Sequence, residues 1–176
     1  MLIVIKFLAK VLTILNSEES PQQLAAGFSF GVMLGLVPVM GILPALLLVF
    51  AFLININLSL MFLAAAIFKI LAYALDPLAN QIGYFLLVKI VPLRTIWTFL
   101  YNLPLIPYTK FNNTLVLGSF VIGLLLLVPM YFLGRWGVTQ YRTTWKARID
   151  QTRFMQFVKA STLYQWYLTF QKVNNP

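Results

Sequence analysis

The chain has 176 residues, of which 61% are hydrophobic and 10% are charged, and its mean hydropathy is +0.87. Soluble domains contain about 45–50% apolar and about 25% charged residues, so this composition is typical of an integral membrane protein. The chain has no cysteine and no histidine, which excludes disulfides, zinc sites with Cys or His ligands, Ser-His-Asp triads and imidazole proton relays.

Thirteen Lys and Arg residues against four acidic residues give a net charge of +9. In a membrane protein, basic residues first serve as topology signals and as contacts to anionic lipid, so we prefer this interpretation to nucleic-acid binding. No two acidic residues show a spacing typical of a paired acid and base. We therefore predict a protein that is not an enzyme, with no catalytic residue, no metal and no cofactor.

The first element is an apolar segment over residues 1–15 that carries Lys6 and Lys10 on one helical face. Two lysines inside the apolar stretch and the absence of an A-x-A cleavage pattern favour a retained helix over a removed signal peptide. A helix of this length reaches about 22 Å, which is short of the roughly 30 Å hydrocarbon core. The sequence therefore predicts an interfacial helix within an N-terminal segment 1–20.

The membrane domain that follows, residues 21–134, begins at a polar turn. Ser20 is typical of a helix N-cap, and Pro21 is typical of the first helical position. A helix is expected to start here.

The next apolar stretch is interrupted near its middle by Pro38, Gly41 and Pro44. A straight helix through the whole stretch would reach about 46 Å, and the prolines would remove backbone hydrogen bonds halfway along it. The pattern predicts two short helices, 24–37 and 43–54, joined by a hinge at these three residues. They either cross the membrane twice or form a re-entrant hairpin, and two crossings are preferred.

Three glycines, Gly27, Gly31 and Gly35, recur at every fourth position of the first of these helices. Four residues advance about 400° around a helix, so the glycines share one face. In lipid, such a stripe of small residues lets another backbone approach closely. We predict a helix-contact face, with packing inside the chain preferred over dimerisation or docking of a partner helix.

The third predicted helix covers residues 58–75 and ends at Asp76 and Pro77. Lys69 is the ionisable residue deep in a predicted span, where a charge costs about 2.5–3.5 kcal/mol, so it is a candidate functional residue. Asp76 lies near the same helical face but about 10 Å further along the axis, and lysine side chains lean away from it. A lysine that snorkels or makes a structural hydrogen bond is the preferred interpretation.

Residues 78–91 are too short and too polar to predict a span. The following segment, 92–113, has the composition of a polypeptide at the level of the lipid headgroups, since Trp and Tyr collect where one end of the ring is wet. It is predicted to be an outer docking segment. Its candidate contact residues are Arg94, Trp97, Tyr101, Tyr108 and Phe111.

Residues 114–133 form the fourth predicted helix, which carries no charge. A basic, aromatic tail follows over 135–176, and we expect it to contact the anionic cytoplasmic leaflet. Its candidate lipid-contacting residues are Arg142, Trp145, Lys146, Arg148, Arg153 and Lys159.

The distribution of basic residues predicts the orientation. The tail and the two N-terminal lysines favour cytoplasmic termini at both ends, which requires an even number of crossings. The sequence thus predicts an all-α, multi-pass membrane protein with about four transmembrane helices and with residues 76–113 on the outer face.

Four stretches carry a resemblance to a known family: "SPQQLAAGFSFGVMLGLVPVMG", "LININLS", "DPLANQIG" and "KFNNTLVLGS". With them the sequence resembles a bacterial inner-membrane family catalogued as domain of unknown function 2062, in particular its short, stand-alone subgroup. Lys110 stands where the family's "RFNNT" element has an arginine. The positions that match the family's glycine, proline and asparagine pattern are Pro21, Gly27, Gly31, Gly35, Pro38 and Asn57.

The resemblance implies a multi-pass protein of the bacterial inner membrane without an established activity. It also implies a gene neighbourhood shared with a larger, AsmA-like envelope protein. Our first hypothesis is a subunit that anchors or feeds an envelope-spanning protein partner in phospholipid transport; a homo-oligomer is compatible with it. The second hypothesis is a small transporter or channel in which the broken hairpin and Lys69 line a path for an anionic solute or lipid.

Overall fold

The computed structural model describes residues 10–39 and 41–145. In these residues the chain is helical and forms no strand, which confirms the predicted all-α class. The α-helices are α1 (Pro21–Leu36), α2 (Leu43–Leu53), α3 (Leu58–Tyr84), α4 (Leu93–Tyr101) and α5 (Thr114–Gln140). Two π-helical segments, Phe85–Lys89 and Tyr141–Trp145, follow α3 and α5, and a 3-10 turn, Ile106–Thr109, precedes α5.

The described residues form two compact units. One unit covers residues 19–135 and contains α1 to α4 with most of α5, and the other combines residues 10–18 with residues 136–145. Residues 10–15 are helical, and the rest of the predicted N-terminal interfacial helix lies outside the described residues.

The start of α1 confirms the predicted cap. The Ser20 hydroxyl accepts a hydrogen bond from the Gln23 N–H, the Gln23 side chain accepts one from the Ser20 N–H, and Pro21 is the first helical residue. This reciprocal pair satisfies two of the N–H groups that a helix start leaves without partners. At the start of α3, Asn57 caps the helix through the Leu60 N–H and also donates to the Glu19 carboxylate at 2.7 Å.

The predicted end of the third helix at Asp76 and Pro77 is wrong. Helix α3 has 27 residues and continues through Pro77 to Tyr84, so most of residues 78–91 is helical as well. Proline removes one backbone N–H and crowds the carbonyl four residues earlier, but it does not end a helix whose apolar pattern continues on both sides. The predicted end at residue 133 is also too early, since α5 continues past Pro129 to Gln140.

Two helical stretches are long and apolar enough to cross a membrane, Leu58–Lys89 with 32 residues and Thr114–Thr144 with 31 residues. Helices α1 and α2 are shorter, with 16 and 11 residues. Large apolar side chains remain exposed on α2, α3 and α5, for example Leu53 at 78%, Ile70 at 74% and Leu125 at 69%.

Helices α1 and α3 run parallel to each other. Gly27 of α1 lies against Asn57 at the start of α3, whereas Gly35 lies against Phe68, further along α3. Helix α2 therefore carries the chain back to the level at which α1 began. A cluster around Ala51, Ile56 and Met61 packs α2 and the start of α3 against α1.

Helix α5 runs antiparallel to α1. Gly123 of α5 lies against Met33 near the end of α1, and Gly134 lies against Ala25 near its start. A three-helix core results, in which the buried side chains of α1 and α3 contact apolar side chains of α5. The core residues are Val32, Leu36 and Ala72, packed with Phe28, Phe68, Leu75, Ile122, Leu126 and Met130.

Candidate functional site: the hairpin tip and the outer segment

The structure places the glycine stripe against α3 of the same chain. Gly27, Gly31 and Gly35 are buried. A Cβ atom built on Gly31 would lie 2.7 Å from the Ala64 Cβ, and one built on Gly35 would lie 2.8 Å from the Phe68 Cβ. Real Cβ atoms essentially never approach other atoms this closely. The stripe therefore permits the close contact of α1 with α3, as the packing interpretation expects.

The hairpin tip, which we define as residues 37–39 and 41–42, contains two of the predicted hinge residues. Pro38 lies just after α1, Gly41 adopts a φ of +73°, and Pro44 follows as the second residue of α2. This left-handed conformation favours glycine because it has no Cβ. A Cβ at Gly41 would also meet residues 108–110.

The hairpin tip is joined to the outer segment by a backbone hydrogen bond. The Ile42 N–H donates to the Tyr108 carbonyl at 3.0 Å. Two non-glycine residues near this contact, Leu105 and Lys110, have positive φ values of 73° and 56°. Such conformations persist only where the surrounding structure holds them, so the contact fixes an otherwise unfavourable path of the chain.

Lys69 holds the end of α1. Its ammonium group donates to the Val37 carbonyl at 2.9 Å, immediately after the last residue of the helix. The final carbonyls of a helix lack partners within it, and the negative end of its dipole attracts a cation. The hydrogen-bond partner of Lys69 is thus a backbone carbonyl rather than the Asp76 carboxylate.

Asp76 faces a different feature, a small cavity between α1, α3 and α5. Leu36, Ala72 and Ser119 also line it. The Ser119 side chain is 2% exposed, and its hydroxyl has no hydrogen-bond partner among the described residues. The cavity has room for about one water molecule, which polar groups such as these would bind.

The outer segment packs on the end of α3 through α4. The Arg94 guanidinium donates to the Val88 carbonyl and the Trp97 indole donates to the Leu86 carbonyl, each at 3.0 Å. Both carbonyls belong to the π-helical segment, where the helix ends and its carbonyls need partners. Two side chains therefore fix the angle at which α4 leaves α3.

Aromatic contacts complete this arrangement. The rings of Trp97 and Tyr101 lie beside Phe111, with centroid distances of 6.0 Å and 6.5 Å. The structure thus joins four of the predicted outer residues through α4 and Phe111. Tyr108, the fifth, contacts the hairpin tip through its carbonyl, and its side chain is 66% exposed.

In the tail, the Arg142 side chain forms hydrogen bonds with backbone carbonyls of the same chain. Its guanidinium donates to the carbonyls of Leu15 and Ser17 at 3.1 Å and 2.8 Å, and the neighbouring Tyr141 hydroxyl accepts from Asn16. Trp145 ends the described helix. The other predicted lipid-contacting residues, Lys146, Arg148, Arg153 and Lys159, lie outside the described residues.

The sequence interpretation missed the contact between α3 and α5. A Cβ at Gly118 would lie 2.6 Å from the Ala79 carbonyl carbon, and one at Gly83 would lie 2.6 Å from the Thr114 carbonyl carbon. Asn80 accepts a hydrogen bond from the Thr114 hydroxyl. The sequence does contain a signal for this contact: in both "DPLANQIG" and "KFNNTLVLGS", a glycine lies within one helical turn of a polar residue.

The comparisons with known proteins agree with the resemblance. The profile of the family described as "Uncharacterized protein conserved in bacteria (DUF2062)" matches residues 6–146. The chain is similar to an uncharacterized protein of Treponema pallidum (strain Nichols), with 28% identity over 149 residues, which are 85% of this chain and 91% of that protein. No solved structure matches the chain significantly.

Proposed function

The chain belongs to the bacterial family DUF2062, and we propose that it is a multi-pass, non-enzymatic subunit of the inner membrane. In this proposal it anchors or feeds an envelope-spanning partner, an AsmA-like protein in phospholipid transport. The observation that carries the proposal is the outer segment itself, which presents exposed apolar side chains on a backbone fixed by the hairpin tip and by α3.

Membrane insertion is supported by the exposed apolar surface. Helices α3 and α5 have the length and composition of spans, and few of their apolar residues are buried inside the chain. Soluble monomers rarely expose apolar patches larger than a few hundred Å². A lipid environment would cover these side chains.

The geometry of α1 and α2 supports a re-entrant hairpin over two full crossings. Lys69, which binds the Val37 carbonyl directly after α1, follows Asn57 by twelve residues, which is about 18 Å along α3. Another twenty residues, about 30 Å, separate Lys69 from Lys89. The end of α1 therefore lies less than halfway along the stretch that would cross the membrane, and residues 41–42 of the tip extend from there to the outer segment.

Irregular backbone at membrane depth is tolerated only where protein satisfies its polar groups. Lys69 does this for the Val37 carbonyl, and Tyr108 does it for the Ile42 N–H. We therefore propose two crossings, by α3 and α5, with the α1–α2 hairpin entering and leaving on one side. The even number of crossings is retained, so both termini remain on the cytoplasmic side in this topology.

The outer segment is suited to bind a partner. Leu105 and Tyr108 are 67% and 66% exposed, and Phe99 and Tyr101 of the same segment are exposed as well. Exposed aromatic side chains on a fixed backbone are typical of interaction sites, because binding costs little additional ordering. In the proposed topology this surface lies between the hairpin tip and the outer ends of α3 and α5, on the side from which a periplasmic protein would approach.

Site-specific photo-crosslinking in native membranes tests the proposal. A photoreactive residue at Tyr108 is expected to capture one larger envelope protein. The matched control position is Leu125 on α5, which is equally exposed but lies within a proposed span. Recovery of no larger protein from Tyr108, or of the same proteins from both positions, would contradict the subunit function.

The alternative function is a small transporter or channel for an anionic solute or lipid. Lys69 favours it, since the ammonium group at the broken end of α1 would attract an anion. If Lys69→Met retained full function in a complementation assay of a deletion strain, transport through a path lined by that charge would be refuted.

A further inference from the structure

A groove beside α4 belongs to the outer segment, but its lining does not include the proposed partner contacts at Leu105 and Tyr108. It is lined by Leu87 and Val88 from the π-helical segment and by Arg94, Trp97 and Thr98 from α4. We propose that this groove binds an anionic phospholipid, with the headgroup phosphate on Arg94 and one acyl chain along Leu87 and Val88. The inference rests on the proposed membrane function, because it requires the end of α3 to lie at the headgroup level.

The Arg94 side chain is positioned for a phosphate. Its hydrogen bond to the Val88 carbonyl uses one of the five N–H donors of the guanidinium. A planar guanidinium binds phosphate through paired, charge-assisted hydrogen bonds. Because the Val88 carbonyl already holds the group at the groove, binding would cost less side-chain ordering than at a free arginine.

The groove also has the apolar wall that a lipid requires. The Trp97 ring is held there by its bond to the Leu86 carbonyl. Tryptophan rings collect at the boundary between headgroups and acyl chains, where the indole has both a wet and an apolar side. Leu87 and Val88 belong to the π-helical segment that continues α3, which precedes this boundary in the proposed topology, and they give the groove its apolar lining.

The local charge favours an anionic over a zwitterionic lipid. Residues 77–113 contain Lys89, Arg94 and Lys110 and no acidic residue. Each basic side chain near an anionic lipid surface contributes about a fivefold preference. A protein partner would need acidic side chains to compensate Arg94, whereas a lipid supplies its phosphate at this depth without any further component.

Fluorescence quenching at Trp97 tests the site. In the full chain, Trp136, Trp145 and Trp166 are replaced by phenylalanine, so that Trp97 is the fluorophore. The protein is reconstituted in phosphatidylcholine bilayers that contain brominated phosphatidylglycerol or, for comparison, brominated phosphatidylcholine. We expect phosphatidylglycerol to quench Trp97 with a relative association constant about fivefold higher.

Two variants distinguish lipid binding in the groove from a general attraction of the basic segment to anionic lipid. Arg94→Gln is expected to remove the preference, whereas Lys110→Gln, the matched loss of one charge in the same segment, is expected to retain most of it. If Arg94→Gln does not fold, Arg94→Lys replaces it in the test, because it retains the charge. Its preference for phosphatidylglycerol should be weaker than that of the parent protein but still measurable. Free glycerol phosphate should not compete.

Equal quenching by the two lipids in the parent protein would overturn the inference, and so would equal losses in Arg94→Gln and Lys110→Gln. Either result leaves the crosslinking outcome at Tyr108 unaffected. A lipid preference without a captured envelope protein would instead refute the subunit function and retain the lipid site.

Discussion

The contact of α1 with α3 gives a quantitative prediction for Gly31→Ala. The added methyl group would lie 2.7 Å from the Ala64 Cβ and closer still to the Met61 carbonyl oxygen. Carbon atoms pack at about 3.5–4.0 Å, so the two helices would have to separate by about 1 Å along this contact. Overpacking of this kind costs about 1–3 kcal/mol. The better helix propensity of alanine offsets less than about 1 kcal/mol of it.

Two other glycines provide matched controls for the same change. At Gly123 the nearest atom is the Met33 Cγ at 2.9 Å, which a flexible side chain can move, so Gly123→Ala should cost less. At Gly137 no atom of the part of the chain that the structure describes lies within 4 Å, and Gly137→Ala should stabilise the protein by up to about 1 kcal/mol. Thermal unfolding of the three variants in the same detergent measures the order of their stabilities. If Gly31→Ala were as stable as Gly137→Ala, the close contact of α1 with α3 would be refuted.

Three further changes probe polar contacts. Lys69→Met leaves the Val37 carbonyl without its partner and should lower the free energy of unfolding by about 1–3 kcal/mol; an unchanged melting temperature would contradict the capping role. Ser119→Ala removes the hydroxyl expected to bind the water of the cavity and should lower the free energy of unfolding by about 1 kcal/mol; a higher melting temperature would show that the hydroxyl has no partner. Arg142→Gln removes the bond to the Ser17 carbonyl, so limited proteolysis should cleave the turn after Ser17 faster than in the parent; an equal rate would show that this bond does not order the turn.

Local sequence signals predicted the features that depend on local chemistry. Ser20 and Pro21 identify the start of α1 because an N-cap acts on the next three residues. Pro38 and Gly41 identify the break between the two helices of the hairpin. Proline fixes φ and lacks an N–H, glycine permits a positive φ, and each effect acts at the residue itself. The four-residue spacing of the glycines predicted a contact face, but it could not name α3 as the neighbour.

The remaining features depend on partners that are distant in the chain. In a soluble protein, the pair Asp76-Pro77 indicates the end of a helix. Water there hydrates both the carbonyl that proline leaves without a partner and the turn that follows. Helix α3 continues because apolar residues follow the proline, and because Asn80 and Gly83 contact α5 on the far side. The partner of Lys69 is a carbonyl 32 residues away. One sequence carries no signal for such a pair.

The residues behind the family resemblance have a common structural role. Gly31 packs α1 on α3, Asn57 caps α3 and binds Glu19, and Gly83 and Gly118 bring α3 and α5 together. Each lies in one of the four stretches that carry the resemblance, and at these positions the core helices begin or contact one another. Residues 84–109 lie in none of them, yet they contain α4, the lipid-binding groove and most of the exposed outer surface. The shared pattern therefore describes a scaffold, and the choice of partner or lipid depends on the segment that the scaffold presents.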